Sequence, residues 1–122
     1  MNKSVKQIRK GEIYYAELSG TVGSEQGGIR PVLIIQNDVG NRNSPTTIIA
    51  PLTTKLGKAV LPTHIIIGKT CGLSEKSIVL LEQIRTVDKC RLRDYVGTVE
   101  SETMKEVDAC IEVSFGIGGD SR

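Results

Sequence analysis

Apolar side chains come in short runs along this chain, and one run stands apart. Residues 32–35, Val-Leu-Ile-Ile, contain no polar side chain and are bounded by Pro31 and by Asn37-Asp38. That pattern predicts a strand over 32–36 buried on both faces. Residues 12–18 instead place Ile13, Tyr15 and the adjacent small Ala16 near one alternating face, which predicts a first strand. Between them, residues 19–29 hold four glycines, a connection longer than usual and therefore a functional candidate. Further strands are predicted over 46–52, with Thr53-Thr54 at the end, and over 63–67. A long β-branched strand is predicted over 78–87, turning polar midway at Glu82, Gln83 and Arg85, and a last one over 95–99. Residues 40–45 and 69–77 read as turns and 55–62 as a connector.

Only the C-terminal stretch has a helical period. Met104, Val107, Ile111 and Phe115 recur at spacings of three, four and four, which places them on one face. Ser101 is the expected N-cap, and Gly116 with Gly118-Gly119 the stop. About six short strands and one helix predict an antiparallel barrel or rolled sheet with a helix packed on it. At 122 residues this is one domain with one main core, preceded by a loose polar arm over 1–9.

Composition narrows the functional classes. A formal net charge of +2 describes no basic body, so a nucleic-acid site would be a local patch. Aromatic content of 3% argues against a module that grips single strands by stacking bases on aromatic platforms. The apolar runs fall far short of the roughly 20 residues needed to span a bilayer. The N-terminal MNKSVKQIRKGE lacks the apolar core of a signal peptide. Cys71, Cys90 and Cys110 are odd in number and show no C-x-x-C spacing. The expectation is a reduced, cytoplasmic, membrane-free domain.

Chemistry is constrained first by what is missing. There is no phosphate-cradling glycine motif, no nucleophile elbow and only one histidine, His64, so a two-histidine mechanism is out of reach. The remaining polar groups lie where strands meet loops: Ser24, Glu25, Gln26, Arg30, Thr53, Thr54, Glu82, Gln83 and Arg85. Arg30 carries the most information. As a lone loop arginine it would ordinarily pair with an acid such as Glu25. A guanidinium is also the side chain best shaped to hold a phosphate, and Pro31 restricts Arg30 to an extended backbone. Thr53 adds a hydroxyl to the same phosphate if its strand is a neighbour, although threonine is an ordinary strand residue. His64 reads as a structural, hydrogen-bonded histidine. Glu82-Gln83 marks either a solvated face or a buried polar pair that requires partners. The helix is core packing.

Read together, K-G-E-I-Y-Y-A-E-L, G-S-E-Q-G-G-I-R-P-V-L-I-I-Q-N-D, N-R-N-S-P-T-T-I-I-A-P-L-T, L-P-T-H and L-L-E-Q-I-R-T-V-D-K resemble the MazF/PemK toxins of bacterial toxin–antitoxin modules, in their Gram-positive form. The resemblance covers residues 10–117 and leaves 118–122 as a tail. It implies a mostly β (α+β) fold, a small SH3-like antiparallel barrel of the plasmid-maintenance toxin type with a C-terminal helix, acting as a homodimer. It implies a sequence-specific, metal-independent endoribonuclease that needs no cofactor and cuts single-stranded mRNA. The RNA's own 2′-hydroxyl would be the nucleophile, leaving 2′,3′-cyclic phosphate and 5′-hydroxyl ends. Arg30 and Thr53 fall on the family's catalytic pair, with Glu25 as base or as orienter of Arg30. Ser24, Gln26, Gln83, Arg85 and Thr54 are the expected RNA contacts. A small acidic, MazE-like antitoxin is the expected partner. One departure is Pro51, which removes a backbone donor just before Thr53 and is expected to bend that strand. The competing readings are a toxin acting on gyrase by protein contact alone and, more weakly, a general RNA-binding barrel.

Overall fold

The computed structural model describes residues 7–23, 25–55, 61–68 and 71–117. Among the described residues, seven strands and two α-helices follow in the order β1 (Glu12–Leu18), β2 (Gly28–Ile34), α1 (Asp38–Asn43), β3 (Thr46–Thr53), β4 (His64–Ile67), β5 (Ser77–Leu80), β6 (Arg85–Asp88), β7 (Leu92–Thr98) and α2 (Ser101–Phe115). The strands form one antiparallel sheet ordered β4-β5-β3-β2-β1-β7, and β6 pairs with β3 off this path.

The polarity-free run is central. Val32, Leu33 and Ile34 are fully buried because alternate side chains enter two apolar clusters on opposite faces of the sheet. Leu33 joins Ile13, Ala50, Leu52, Val79 and Val107 on one face, where α2 packs. Val32 and Ile34 join Tyr14, Ala16, Ile49 and Val87 on the other. Each buried valine, leucine or isoleucine side chain contributes roughly 1.5–3 kcal/mol. Ile8 is already buried in the second cluster, so the packed body begins ahead of Lys10. The sheet does not close by a ladder between β4 and β7. Instead Cys71-Gly72 lies backbone to backbone against Val96-Gly97, where a Cβ on either glycine would overlap a carbonyl oxygen. The rolled sheet is thus completed by glycine contact.

Several expectations need correction. β2 starts at Gly28, because β1 pairs with it through Ala16↔Arg30 and Leu18↔Gly28, so Arg30 lies inside a strand. The predicted strand over 78–87 is two strands, β5 and β6. They are separated by a turn in which the Gln83 N–H donates to the Leu80 carbonyl at 3.0 Å, so the strands number seven among the described residues. Residues 38–43, read largely as turn, form α1. The Asn37 side chain caps it on Gly40 N at 2.8 Å, and buried Asn41 bridges Gln36 and Thr47. The adjoining Asp38 carboxyl accepts the Lys10 backbone N–H at 2.7 Å, which lowers its pKa from the ordinary value against the opposing effect of burial. β7 begins at Leu92, ahead of the expected 95. The N-cap of α2 is Glu100, not Ser101. Val107 is buried and Met104 and Ile111 pack on the core, but Phe115 is exposed. Gly116, with φ of 70°, ends the helix in the left-handed region.

Pro51 does not interrupt β3. Ile35 and Gln36 both donate to the Ile48 carbonyl, so Ile48 points its polar groups toward the β2 side. Alternation then turns the Pro51 nitrogen to the opposite edge. There β6 pairing ends at Ile49 and β5 pairing begins at Leu52, so the missing donor falls where the neighbour changes.

Candidate functional site

The candidate site is the sheet face opposite α2. Arg30 alternates with Val32 and Ile34 along β2, and Thr53 alternates with Ile49 and Pro51 along β3. The two strands pair as Ile34↔Ile49 and Val32↔Pro51, and the same register carried two residues further sets Arg30 level with Thr53. Beyond β3, the pairings Thr53↔Ile78 and His64↔Leu80 bring Ile78, Leu80 and His64 onto this face as well. A cluster scattered over some fifty residues of sequence is therefore assembled by strand register.

The guanidinium of Arg30 is aimed by its own loop: Nε donates to the Gly27 carbonyl at 2.7 Å. Among the described residues no acid pairs with it, so the ordinary Arg30–Glu25 ion pair is not formed. Thr53 is buried to 8% exposure, and its Oγ accepts the Lys55 backbone N–H at 3.2 Å. This leaves the hydroxyl hydrogen available for donation. Glu25 is exposed and shapes a tight turn, with Val22 N donating to its Oε1 at 2.7 Å and its own N–H donating to the Val22 carbonyl.

Two adjoining cavities open here. One, of about 380 Å³, is bounded by Thr21, Glu25, Gln26, Pro51, Gln83 and Arg85, among others. The second, of about 230 Å³, is bounded by Thr53, Lys55, His64, Ile78 and Leu80, with Gln26, Glu82 and Gln83 on the wall shared with the first. The wall is a hydrogen bond, from Gln26 N to Gln83 Oε1 at 2.9 Å, which ties the glycine loop to the β5–β6 turn. Arg85 reaches the Ser19 carbonyl at 3.4 Å from the far side of the first cavity. Arg30, hydrogen-bonded to Gly27, bounds neither cavity. Thr54 is exposed and bounds neither cavity, and Ser24 lies outside the described residues.

One constellation went unnoticed in the sequence. His64 Nε2 lies 3.1 Å from Glu82 Oε2, Thr63 Oγ1 donates to Glu82 Oε1 at 3.2 Å, and Leu61 N donates to His64 Nδ1 at 3.2 Å. His64 is hydrogen-bonded as expected, but its partner carboxylate lies eighteen residues away and becomes adjacent only through β4–β5 pairing. Lys55, at the mouth of the second cavity, was also missed. Among the described residues no three His, Cys, Asp or Glu side chains gather as a metal site, and no helix is long and apolar enough to cross a membrane.

With this geometry in view, the chain was compared with known proteins. Residues 9–115 match the family described as PemK-like, MazF-like toxin of type II toxin–antitoxin system. Endoribonuclease EndoA of Bacillus subtilis (strain 168) is 50% identical over 111 residues, covering 90% of this chain and 96% of that protein. Endoribonuclease MazF of Staphylococcus saprophyticus is also 50% identical over 111 residues, covering 90% of this chain and 92% of that protein. Among solved structures, an endoribonuclease in complex with its cognate antitoxin from Mycobacterial species superposes with a TM-score of 0.73 at 26% identity, over 98% of this chain and 100% of that one.

Proposed function

The chain belongs to the PemK-like, MazF-like toxins of type II toxin–antitoxin systems and is an endoribonuclease, and we propose that it cuts single-stranded mRNA with Arg30 and Thr53 as its catalytic pair. The observation that carries this reading is the placement of a guanidinium and a donating hydroxyl on one face of two adjacent, buried strands. Such a pair suits a phosphodiester whose charge grows as it becomes a phosphorane.

In this mechanism the RNA supplies its own nucleophile. The 2′-oxygen bonds to the adjacent phosphorus, the bond from phosphorus to the 5′-oxygen breaks, and a 2′,3′-cyclic phosphate remains. The leaving 5′-oxygen takes a proton from water and becomes a 5′-hydroxyl. The outer nitrogens of Arg30 hold the non-bridging oxygens while Nε keeps the plane of the group fixed on Gly27. Thr53 donates its hydroxyl hydrogen to one of those oxygens. Glu25 takes the 2′-hydroxyl proton. Its part as a base, rather than as an orienter of Arg30, is supported by Gly27 holding the guanidinium instead, and by an Oε2 without a partner among the described residues. Ser24, Gln26, Thr54, Gln83 and Arg85 contact RNA around the scissile phosphate. Base selection by loop hydrogen bonds suits a chain with so few aromatics.

The working protein is a cytoplasmic homodimer held in check by a small acidic antitoxin that covers this face. A toxin acting by protein contact alone is disfavoured, because both relatives at 50% identity are named endoribonucleases. The test is to incubate a defined single-stranded RNA with the protein in excess EDTA and analyse the ends. Cyclic phosphate and 5′-hydroxyl termini, abolished by a 2′-deoxy substitution at the cut site, are expected. Intact RNA, or cleavage that survives the 2′-deoxy substitution, would overturn the proposal.

A further inference from the structure

The second cavity has the features of a seat for one RNA base. Its floor is apolar, formed by the buried Ile78 and Leu80, and at about 230 Å³ it suits a fragment rather than a drug-sized ligand. Thr53 stands on its rim, so a base resting here belongs to a nucleotide next to the reacting phosphate. Glu82 lies on the wall that this cavity shares with the first.

That carboxylate is held in place from two sides. The Leu61 N–H can only donate, so His64 Nδ1 must accept, and in the neutral ring the hydrogen therefore resides on Nε2. Nε2 then donates to Glu82 Oε2 at 3.1 Å, while Thr63 donates to Oε1 at 3.2 Å. His64 is 10% exposed and Glu82 31%, so the ring is enclosed while the carboxylate remains reachable. An ionised carboxylate has about four acceptor directions and no donor, so two directions remain for a ligand that donates.

We infer that Glu82 is a specificity-determining residue: oriented by His64 and Thr63, it accepts the amino group on the Watson–Crick edge of one unstacked base and disfavours uracil there. Uracil presents a single N–H between two carbonyl oxygens, which would face the carboxylate as like partial charges. Adenine and cytosine offer an amino group, and guanine an N–H beside an amino group. His64 is a positioning residue that acts through Glu82. The inference rests on the ribonuclease reading above and adds to it the class of base read beside Thr53.

The experiment cleaves a single-stranded RNA pool of random sequence and sequences the ends. Wild-type protein should show one position near the cut where uracil is depleted about tenfold or more. Glu82→Gln, whose side chain can donate as well as accept, should erase that depletion at that position alone. His64→Gln, which can still donate to Glu82, should keep the preference, and His64→Ala should broaden it. An unchanged profile in Glu82→Gln would overturn the inference. So would its loss of all cleavage while folded, which would assign the carboxylate to the reaction itself. A pool left uncut by wild-type protein would overturn the ribonuclease reading and this inference with it.

Discussion

The strands and the loops of this site are built to different tolerances. Arg30 and Thr53 project from β2 and β3, whose intervening residues Val32, Leu33, Ile34, Ile49, Ala50 and Leu52 are fully buried. Moving either side chain by an ångström means moving a strand that packs on both faces. Glu25, Gln26, Gln83 and Arg85 belong to, or border, exposed loops tied by hydrogen bonds such as Gln26 N to Gln83 Oε1. Breaking one such bond costs about 1 kcal/mol. Phosphoryl chemistry needs fixed in-line geometry, whereas the reading of bases tolerates adjustment. On the proposed assignment the rigid scaffold takes the first task and the adjustable rim the second.

The comparison can be tested by ranking substitutions. Arg30→Ala should have the largest effect, a drop in kcat of about 10³-fold with Tm unchanged. Arg30→Lys should recover little, because an ammonium lacks the planar fork that Gly27 aims. Glu25→Gln comes next. It keeps an oxygen for the Val22 N–H but loses the proton acceptor, so kcat should fall about 10²-fold while KM holds. Glu25 is the one loop group expected to act on kcat, and its reciprocal bonds with Val22 make it the best-fixed part of that loop. Thr53→Val preserves shape and removes one hydrogen bond to a charged oxygen, for a loss of about tenfold in kcat. Steady-state rates on one RNA, with a thermal melt for each variant, check all three. A Thr53 or Glu25 variant more damaging than Arg30→Ala would reverse the order and end the assignment of the guanidinium as the principal group.

Much of the scaffold was legible because it rests on local pattern. The run at 32–35 and the stripe through Met104, Val107 and Ile111 each state a burial requirement within a few residues; the strand at 12–18 was legible too, but its buried tyrosine is Tyr14, not the expected Tyr15, which is exposed. What escaped depended on partners distant in sequence. No glycine or proline marks the turn at residues 81–84, and Ile84 continues the apolar character across it, so β5 and β6 read as one strand. Helix α1 has the composition of a turn, and it is supported by buried Asn41 bonding to Gln36 and Thr47. The pairing of Arg30 with Thr53 came from family resemblance, because periodicity cannot say which strands are neighbours. His64 and Glu82 are eighteen residues apart, and only the β4–β5 register reveals them as a pair.

The smallest expected effect gives the finest test of rim against scaffold. Gln83 anchors the glycine loop by accepting the Gln26 N–H at 2.9 Å. Gln83→Ala removes that bond, so the loop should sample open positions more often while Arg30, held on β2, stays in place. Losing a bond worth about 1 kcal/mol should speed hydrogen exchange at the Gln26 amide roughly fivefold. KM for RNA should rise by a similar factor and kcat should stay within about twofold, because the cost of ordering the loop is met on binding. Exchange at the Val32 and Leu33 amides reports the scaffold and should not change. If kcat fell with KM unmoved, the loop tie would be part of the phosphate machinery, and the division of labour between strands and rim would not hold.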